Sequence, residues 1–374
     1  MTTSPSWRNF DPLMLVAALA LTGYGALLIY SATLPRGAEG VVISEPVVRH
    51  IAAAIAGAIA MFVAARIDYR LWEAFGWIAY GVGLLVLAAV LVVGTSEFGS
   101  RRWFDLGFTL VQASEIAKLM VIIGLARFLS DYRDRLSEWR IFALSLALAV
   151  VPAGLVVIEP DAGSAAVFLM IWAVMAAFAG ARIRQFAVLG VVALALLPVA
   201  LVGGIQDYQQ DRIRVFIDPA EDALGVGFNV LQAETSVGSG GLLGKGITKG
   251  TQTQLDFLRT QSTDFIFSVL GEELGFVGAM ALFALFMLLI IRGLRAIMRA
   301  SDSFGQVLVA GVMTMIAVQT FINVGVNIRL MPVTGIPLPF VSVGNSSLLV
   351  LFIALGIVQS VLLHRDESHQ RHAF

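Results

Sequence analysis

Asp264 closes a polar stretch, residues 251–264, and opens an apolar one, residues 265–291. A carboxylate at the edge of hydrocarbon is costly unless partnered, so an acid at that depth is a candidate for chemistry before anything else is known. Other groups with reactive or anion-binding potential flank long apolar runs. Glu115 and Lys118, three apart on a helix, share a face and can neutralise each other. Each such charge costs about 2.5–3.5 kcal/mol at mid-membrane on insertion scales, so the pair belongs near the outer end of its span or beside a polar cavity. A structural ion pair is the alternative. Arg101 and Arg102, just before that run, have the charge to grip an anionic head group, or simply to snorkel at the interface. Asp161 follows Glu159-Pro160 at the head of another run, where an N-cap competes with a catalytic role. In the polar segment 207–229, Arg212 is the best ligand candidate. The Gly238–Gly246 stretch offers backbone amides and Lys245, as a phosphate cradle would. It fails the P-loop pattern because Gly246 stands where Ser or Thr is required, which excludes nucleotide binding. A tight re-entrant or surface loop is the structural alternative.

These groups need elements to hold them, and the composition says what kind. The chain has 374 residues, 58% apolar and 14% charged, with a mean hydropathy of +0.86, which marks an integral membrane protein. A formal net charge of -1 gives no support for nucleic-acid binding. The absence of cysteine removes disulfide and thiol chemistry, and His50, His364, His369 and His372 do not cluster with acids at ligand spacing. Apolar runs of bilayer length predict ten spans, near 12–32, 48–66, 73–94, 112–130, 140–158, 161–180, 184–203, 265–291, 304–327 and 345–363. The first lacks a small-residue cleavage site and reads as a retained span.

With the N-terminus inside, the inner ends and loops collect Arg8, Arg66, Arg70, Arg127, Arg133, Arg135, Arg140, Arg182, Arg184, Arg292, Arg295, Arg299, Arg365 and Arg371. The short outer loops hold Arg36, Arg49, Arg101, Arg102 and Arg329. Both termini are therefore expected in the cytoplasm, in one polytopic domain over residues 1–374. The large polar segment 204–264, between the seventh and eighth spans, is expected outside. Three prolines, Pro332, Pro337 and Pro339, rule out a regular helix over 332–342. Non-helical backbone at membrane depth survives only where protein or a water-filled cavity covers it, which predicts a cavity between the ninth and tenth spans. A purely structural kink is the competing account. Among the polar groups of these motifs, Arg49, Thr263, Thr334, Ser342 and Ser346 join Arg101, Arg102, Glu115, Lys118, Asp161, Arg212 and Lys245 as substrate-binding candidates.

Taken together, Arg102-Trp103, Gln112 to Lys118, Glu159 to Ser164, Gly238 to Gly241, Gly244 to Gly246, Thr263 to Phe267, Glu272 to Gly275 and Pro332 to Phe340 resemble, in order and spacing, the SEDS family (RodA, FtsW and SpoVE) over nearly the whole chain. The short termini and the Gln254-Leu-Asp-Phe-Leu258 lead-in are more similar to its elongation branch, RodA, than to its division branch, FtsW. The resemblance implies an all-α membrane protein of about ten helices with one large extracytoplasmic loop. It implies a peptidoglycan glycosyltransferase that polymerises lipid II at the outer face of the bacterial cytoplasmic membrane during elongation, working with a class B penicillin-binding protein and other elongation-complex membrane proteins.

In that family the aspartate of the Thr-Asp-Phe-Ile-Phe string is the proposed catalytic residue, which carries over to Asp264. Glu115, Lys118 and Asp161 become site candidates, and 332–347 part of a cavity wall. The chain also departs from the pattern. Arg259, Thr260 and Ser262 stand where relatives commonly have Pro, Glu and His, which leaves Asp264 as the only base in that string. Val343 and Asn345 replace a usual Tyr and Gly.

The implied reaction has an acceptor sugar 4-hydroxyl attack the anomeric carbon of a lipid-pyrophosphate donor while Asp264 takes the proton, a contribution of about 10²–10⁴-fold. The pyrophosphate would be met by Lys118, Arg101, Arg102, Arg212, Lys245 or a divalent cation such as Mg or Mn. The rivals are a flippase or transporter of lipid-linked precursor, whose needs ten spans and a charged cavity meet equally well, and a scaffold that activates a partner enzyme, with Asp264 only an N-cap.

Overall fold

Backbone amides withdrawn from water must be paired within their own segment, so the apolar runs fold as helices. In the computed structural model, residues 6–365 are described apart from 36–41, 98–99, 106, 108–109, 204–206, 223–224, 256 and 258–260. The chain runs α1 (Pro12–Ala32), α2 (Glu45–Arg66), α3 (Tyr69–Ala74) and α4 (Gly76–Val93) before a small sheet of β1 (Thr95–Glu97), β2 (Ser100–Asp105) and β3 (Leu110–Gln112). It continues as α5 (Ala113–Asp131), α6 (Trp139–Ile158), α7 (Ala162–Ala179) and α8 (Ile183–Gly203). The polar segment holds α9 (Asp207–Ile217), α10 (Val226–Ser239) and α11 (Thr251–Gln254), and the chain ends on α12 (Ile266–Arg299), α13 (Ser303–Asn327) and α14 (Asn345–Leu363).

Among the described residues, eight of these helices are long and apolar enough to cross a membrane, namely α1, α2, α4, α6, α7, α12, α13 and α14. The charged α5 and the helix α8 occupy the other two predicted segments. The membrane body is helical as expected. The sheet, antiparallel in the order β1-β2-β3, is an addition that the alternation of its short strands did not advertise.

Burial sorts the helices into layers. The most apolar windows of α13 and α14 are 83% and 89% buried, against 28% for α2, α4 and α12. The first two are therefore the axis of the bundle, and the other three turn faces such as Ile55, Ile78 and Leu85 to hydrocarbon. Helices in lipid gain little from hydrophobic burial and associate through close packing and hydrogen bonds. At Gly356 of α14 a Cβ would lie 2.5 Å from the Met61 carbonyl, so the axis and α2 touch backbone to backbone. At one end of the bundle Asp11 accepts from the Leu13 and Met14 amides and from Arg292, tying α1 to α12. The Gln359 amide exchanges hydrogen bonds with the Asp11 backbone and brings in α14.

The glycine stretch is structural. At Gly275, with φ 63°, α12 breaks, and the Gly238–Gly246 loop repairs the break. The Lys245 and Gly246 amides donate to the carbonyls of Glu272 and Glu273, while the carbonyls of Gly241 and Leu242 accept from the amides of Phe276 and Val277. Two of the loop amides that would cradle a phosphate, those of Lys245 and Gly246, are spent on this repair, and that of Gly244 bonds to the Gly240 carbonyl within the loop.

Candidate active site

Asp264 sits just ahead of α12, and its main chain is pinned before its side chain is considered. Asn323 and Asn327, one turn apart on α13, donate from Nδ2 to the Asp264 carbonyl at 3.0 and 2.9 Å. The Asn327 amide oxygen accepts from the backbone and hydroxyl of Ser268 at 3.0 and 2.6 Å, fixing the first turn of α12 to the same residue. Ser342 donates to the Thr263 carbonyl at 2.6 Å and receives the Leu338 amide at 2.9 Å. The Val343 amide closes onto the Ser262 carbonyl at 3.0 Å. The Pro332–Phe340 stretch runs as non-helical backbone, as its prolines require. It is laid directly against Asp264, where a Cβ on Gly335 would come within 3.9 Å of Oδ2.

The Asp264 carboxyl is pushed up to about 6. Withdrawal from water is the chief cause, opposed by the positive charges of Arg212 and Arg102 and by a hydrogen bond from Thr263. The N-cap of α12 is Phe265, and no side chain caps the helix. Asp264 therefore does not owe its place to helix capping.

Asp161 does cap a helix: it accepts from the Ser164 amide and hydroxyl at 2.9 and 2.8 Å at the start of α7. Arg102 clamps the same turn, donating to the carbonyls of Glu159 and Pro160 at 3.1 and 2.6 Å and lying 3.7 Å from the Asp161 carboxylate. Within the turn, Glu159 is buried with neither carboxyl oxygen hydrogen-bonded among the described residues. Burial, with the neighbouring Asp161 charge, raises its pKa to about 8 against the pull of Arg102.

One residue before the Gly335 that abuts Asp264, Thr334 borders a cavity of about 790 Å³, walled by α7, α9, α13 and residues 331–334, with Arg212 as its cation; Asp264 itself is not among the lining residues. Thr334 lines it, and its hydroxyl is buried without a partner among the described residues. The expected cavity lay between the ninth and tenth spans, and this one has α7 instead of α14 as its second wall. The reason is visible in the extended segment. On its α14 side Phe340 packs edge-on to Phe352, and the open side faces Ala162, Ala166 and Met170 of α7.

The remaining candidates are spread around this centre. Glu115 and Lys118 form a buried ion pair at 2.5 Å, with Ser347 and Gln319 also on the Glu115 carboxylate at 3.3 and 3.5 Å. Ser346 takes the Gln112 amide at 3.3 Å. Lys245 is held by Glu272 at 2.8 Å, and Glu272 also accepts the amides of Gln252 and Thr253, so this lysine is engaged in folding the segment ahead of Asp264. Arg49 stands apart on α2, paired with Glu45. The Arg101 side chain and residues Arg259 and Thr260 lie outside the described parts. No cluster of three or more His, Asp or Glu side chains suited to a metal occurs among the described residues. Sequence reasoning passed over Asn323, Asn327 and Glu159. Two asparagines four apart inside an apolar span were a readable signal, because buried amides at that depth must be satisfied by something specific.

Comparison with known proteins places this geometry in context. The family model described as cell cycle protein, covering FtsW, RodA and SpoVE, matches residues 12–367. The peptidoglycan glycosyltransferase MrdB of Escherichia coli K12 is 38% identical over 372 residues, 98% of either chain. The stage V sporulation protein E of Bacillus subtilis is 35% identical over 360 residues, 94% of this chain and 96% of that one. Among solved structures, a chain of a peptidoglycan synthase complex described as coordinating polymerization and crosslinking superposes with a TM-score of 0.80 at 30% identity, over 98% of this chain and 99% of that one. The rod shape determining protein RodA of Thermus thermophilus gives 0.69 at 29% identity, over 96% and 98%.

Proposed function

The chain belongs to the family of FtsW, RodA and SpoVE and is a multi-pass membrane peptidoglycan glycosyltransferase, and from that premise we propose that Asp264 is the general base of its reaction. The observation that carries this reading is a single carboxyl, pinned through its own carbonyl by two asparagines, raised to about 6, and set near an apolar cavity with one arginine on its wall. A base works best with a pKa near the operating pH, and partial desolvation moves Asp264 in that direction.

The substrate is lipid II on this reading. The 790 Å³ groove is apolar along α7 and α13, as a polyprenyl chain requires, and Arg212 on its wall would meet the pyrophosphate. The acceptor 4-hydroxyl attacks the anomeric carbon as its proton passes to Asp264. The bond to the pyrophosphate oxygen breaks, and the guanidinium of Arg212 stabilises the charge that the leaving group acquires. Arg102 and Asp161 shape the turn that opens α7, and the Glu115–Lys118 pair holds α5 to α13 and α14.

The described residues supply no cage for a metal. A Mg or Mn ion would be held chiefly by the phosphate oxygens of the substrate, the usual arrangement for Mg²⁺, with Asp161 as the protein carboxylate, since a metal on Asp264 would hold down the pKa that its role as base needs raised. The arginine distribution supports both termini in the cytoplasm and the site at the outer face. A class B penicillin-binding protein and other elongation-complex proteins are the partners proposed, in keeping with the synthase complex that the chain resembles. Glycan-strand formation from labelled lipid II tests the enzyme, whereas transbilayer movement of lipid II without polymer would favour a transporter.

A further inference from the structure

The segment 204–264 is polar and expected outside the membrane, yet its Gly238–Gly246 loop ends in two leucines that the protein leaves uncovered. Leu242 and Leu243 are 71% and 78% exposed. Adjacent leucines held out on a tight loop make an apolar patch that calls for a partner.

The repair of α12 sets their height in the membrane. The Leu242 carbonyl accepts from the Val277 amide, so Leu242 is level with Val277. Val277 lies about 22 Å of helix from Arg292, where the apolar run of α12 gives way to Arg292, Arg295 and Arg299. A hydrocarbon core about 30 Å thick that starts at Arg292 ends near Glu272, which leaves the leucines about 8 Å inside it. Helix tilt places them deeper still. A second ruler agrees: the Tyr24 hydroxyl donates to the Gly278 carbonyl, and Tyr24 is about 12 Å of helix short of the end of α1 at Ala32. The charges fall at the same boundary, where Lys245 meets Glu272 at 2.8 Å.

Non-helical backbone at membrane depth must have its polar groups paired. In this loop the carbonyls of Gly240, Gly241 and Leu242 and the amides of Gly244, Lys245 and Gly246 all have backbone partners. The apolar surface also continues beyond the loop. Phe276 and Val277, whose amides bond to Gly241 and Leu242, are exposed and head a stripe of exposed α12 residues, Met280, Met287 and Ile291. The leucines thus extend the hydrocarbon-facing side of α12.

We propose that the Gly238–Gly246 loop is re-entrant and that Leu242 and Leu243 form a wedge bound by the acyl chains of the leaflet at the Asp264 end of the bundle. Through Lys245 and Glu272, which also takes the amides of Gln252 and Thr253, the wedge fixes the height at which the segment before Asp264 meets the membrane. It does so whatever the role of the Asp264 carboxyl.

The chain has no cysteine, so one can be introduced wherever a probe is wanted. A nitroxide is attached to Leu243→Cys in the purified full chain in phosphatidylcholine nanodiscs. Its collisions with oxygen, which concentrates in hydrocarbon, and with a polar nickel chelate, which stays in water, are read by power-saturation EPR. Ala284→Cys on the exposed side of α12 serves as the hydrocarbon reference, and Asp134→Cys, exposed between α5 and α6, as the aqueous one. The oxygen-to-nickel ratio at Leu243 is expected to exceed that at Asp134 at least about tenfold and to approach that at Ala284, because a polar complex enters hydrocarbon only at high cost. Leu242→Cys is expected to behave alike. A ratio at both leucines close to that of Asp134 places the loop in water and overturns the proposal. Low access to both reagents, as beneath a second copy of the chain, overturns it as well.

Discussion

At the scale of the residue, the same desolvation that would suit Asp264 to the proposed role of base makes it a liability to the fold. Its carboxyl is raised to about 6 from the usual carboxylate range. The base form is lost as pH falls through about 6, so kcat/KM of polymerisation is predicted to drop about tenfold per unit below that pH. A pH–rate profile flat from 7 to 5 would remove Asp264 from proton transfer. For stability the sign is opposite. The folded protein holds the proton more tightly than the unfolded chain between about 3.9 and 6, so Asp264 detracts from stability as pH rises through that window. Asp264→Asn is predicted to melt no lower than wild type at pH 7.5. Glu159, raised to about 8, likewise holds its proton more tightly in the folded protein and detracts from stability as pH rises from about 4.3 to 8. Glu159→Gln is accordingly expected to keep activity, to melt no lower than wild type at pH 7, and to lose less stability than wild type between pH 5 and 8 in a thermal-denaturation series. Asp264 was legible in the sequence because an acid at a polar-to-apolar boundary has few bland explanations. Its supports were not, since nothing in the spacing of Asn323 and Asn327 says which carbonyl they will reach.

At the scale of the element, the break in α12 and the loop that mends it form one device. Gly244, with φ 76°, has no room for a side chain: a Cβ would stand 2.1 Å from the Glu273 carbonyl. Gly244→Ala is predicted to cost at least about 1–3 kcal/mol, through left-handed strain and displaced backbone hydrogen bonds. It should be read as a lowered melting temperature together with lost polymerisation, because the segment leading to Asp264 hangs from the same loop. The sequence showed the glycines and the lysine, and the phosphate-cradle and surface-loop readings were both open from residues 238–246 alone. What decides the loop amides' role is the matching gap at Gly275, far along the chain, and no local pattern carries that pairing. The ten apolar runs, by contrast, are local and were readable. The three short strands between α4 and α5 were not, since strands of three to six residues in an interfacial loop leave little period to detect.

At the scale of the whole molecule, the bundle is built around α13 and α14 and leaves one side of α13 uncovered near Asp264. If that opening receives the polyprenyl chain, filling it should hinder binding more than it harms the fold. Ala166 and Ala317 line the cavity from α7 and α13 and are exposed. Ala166→Trp and Ala317→Phe are predicted to raise KM for lipid II at least severalfold while leaving the melting temperature within a few degrees, measured in initial-rate assays. Unchanged KM in both would place the lipid elsewhere. The central claim, that this chain makes glycosidic bonds with Asp264 as base, is tested most directly by one measurement. Glycan-strand formation from labelled lipid II is compared between purified wild type and folded Asp264→Asn, with a class B penicillin-binding protein present. Polymer from wild type and at least about a hundredfold less from the variant is the predicted result. Equal polymer from both would contradict the account.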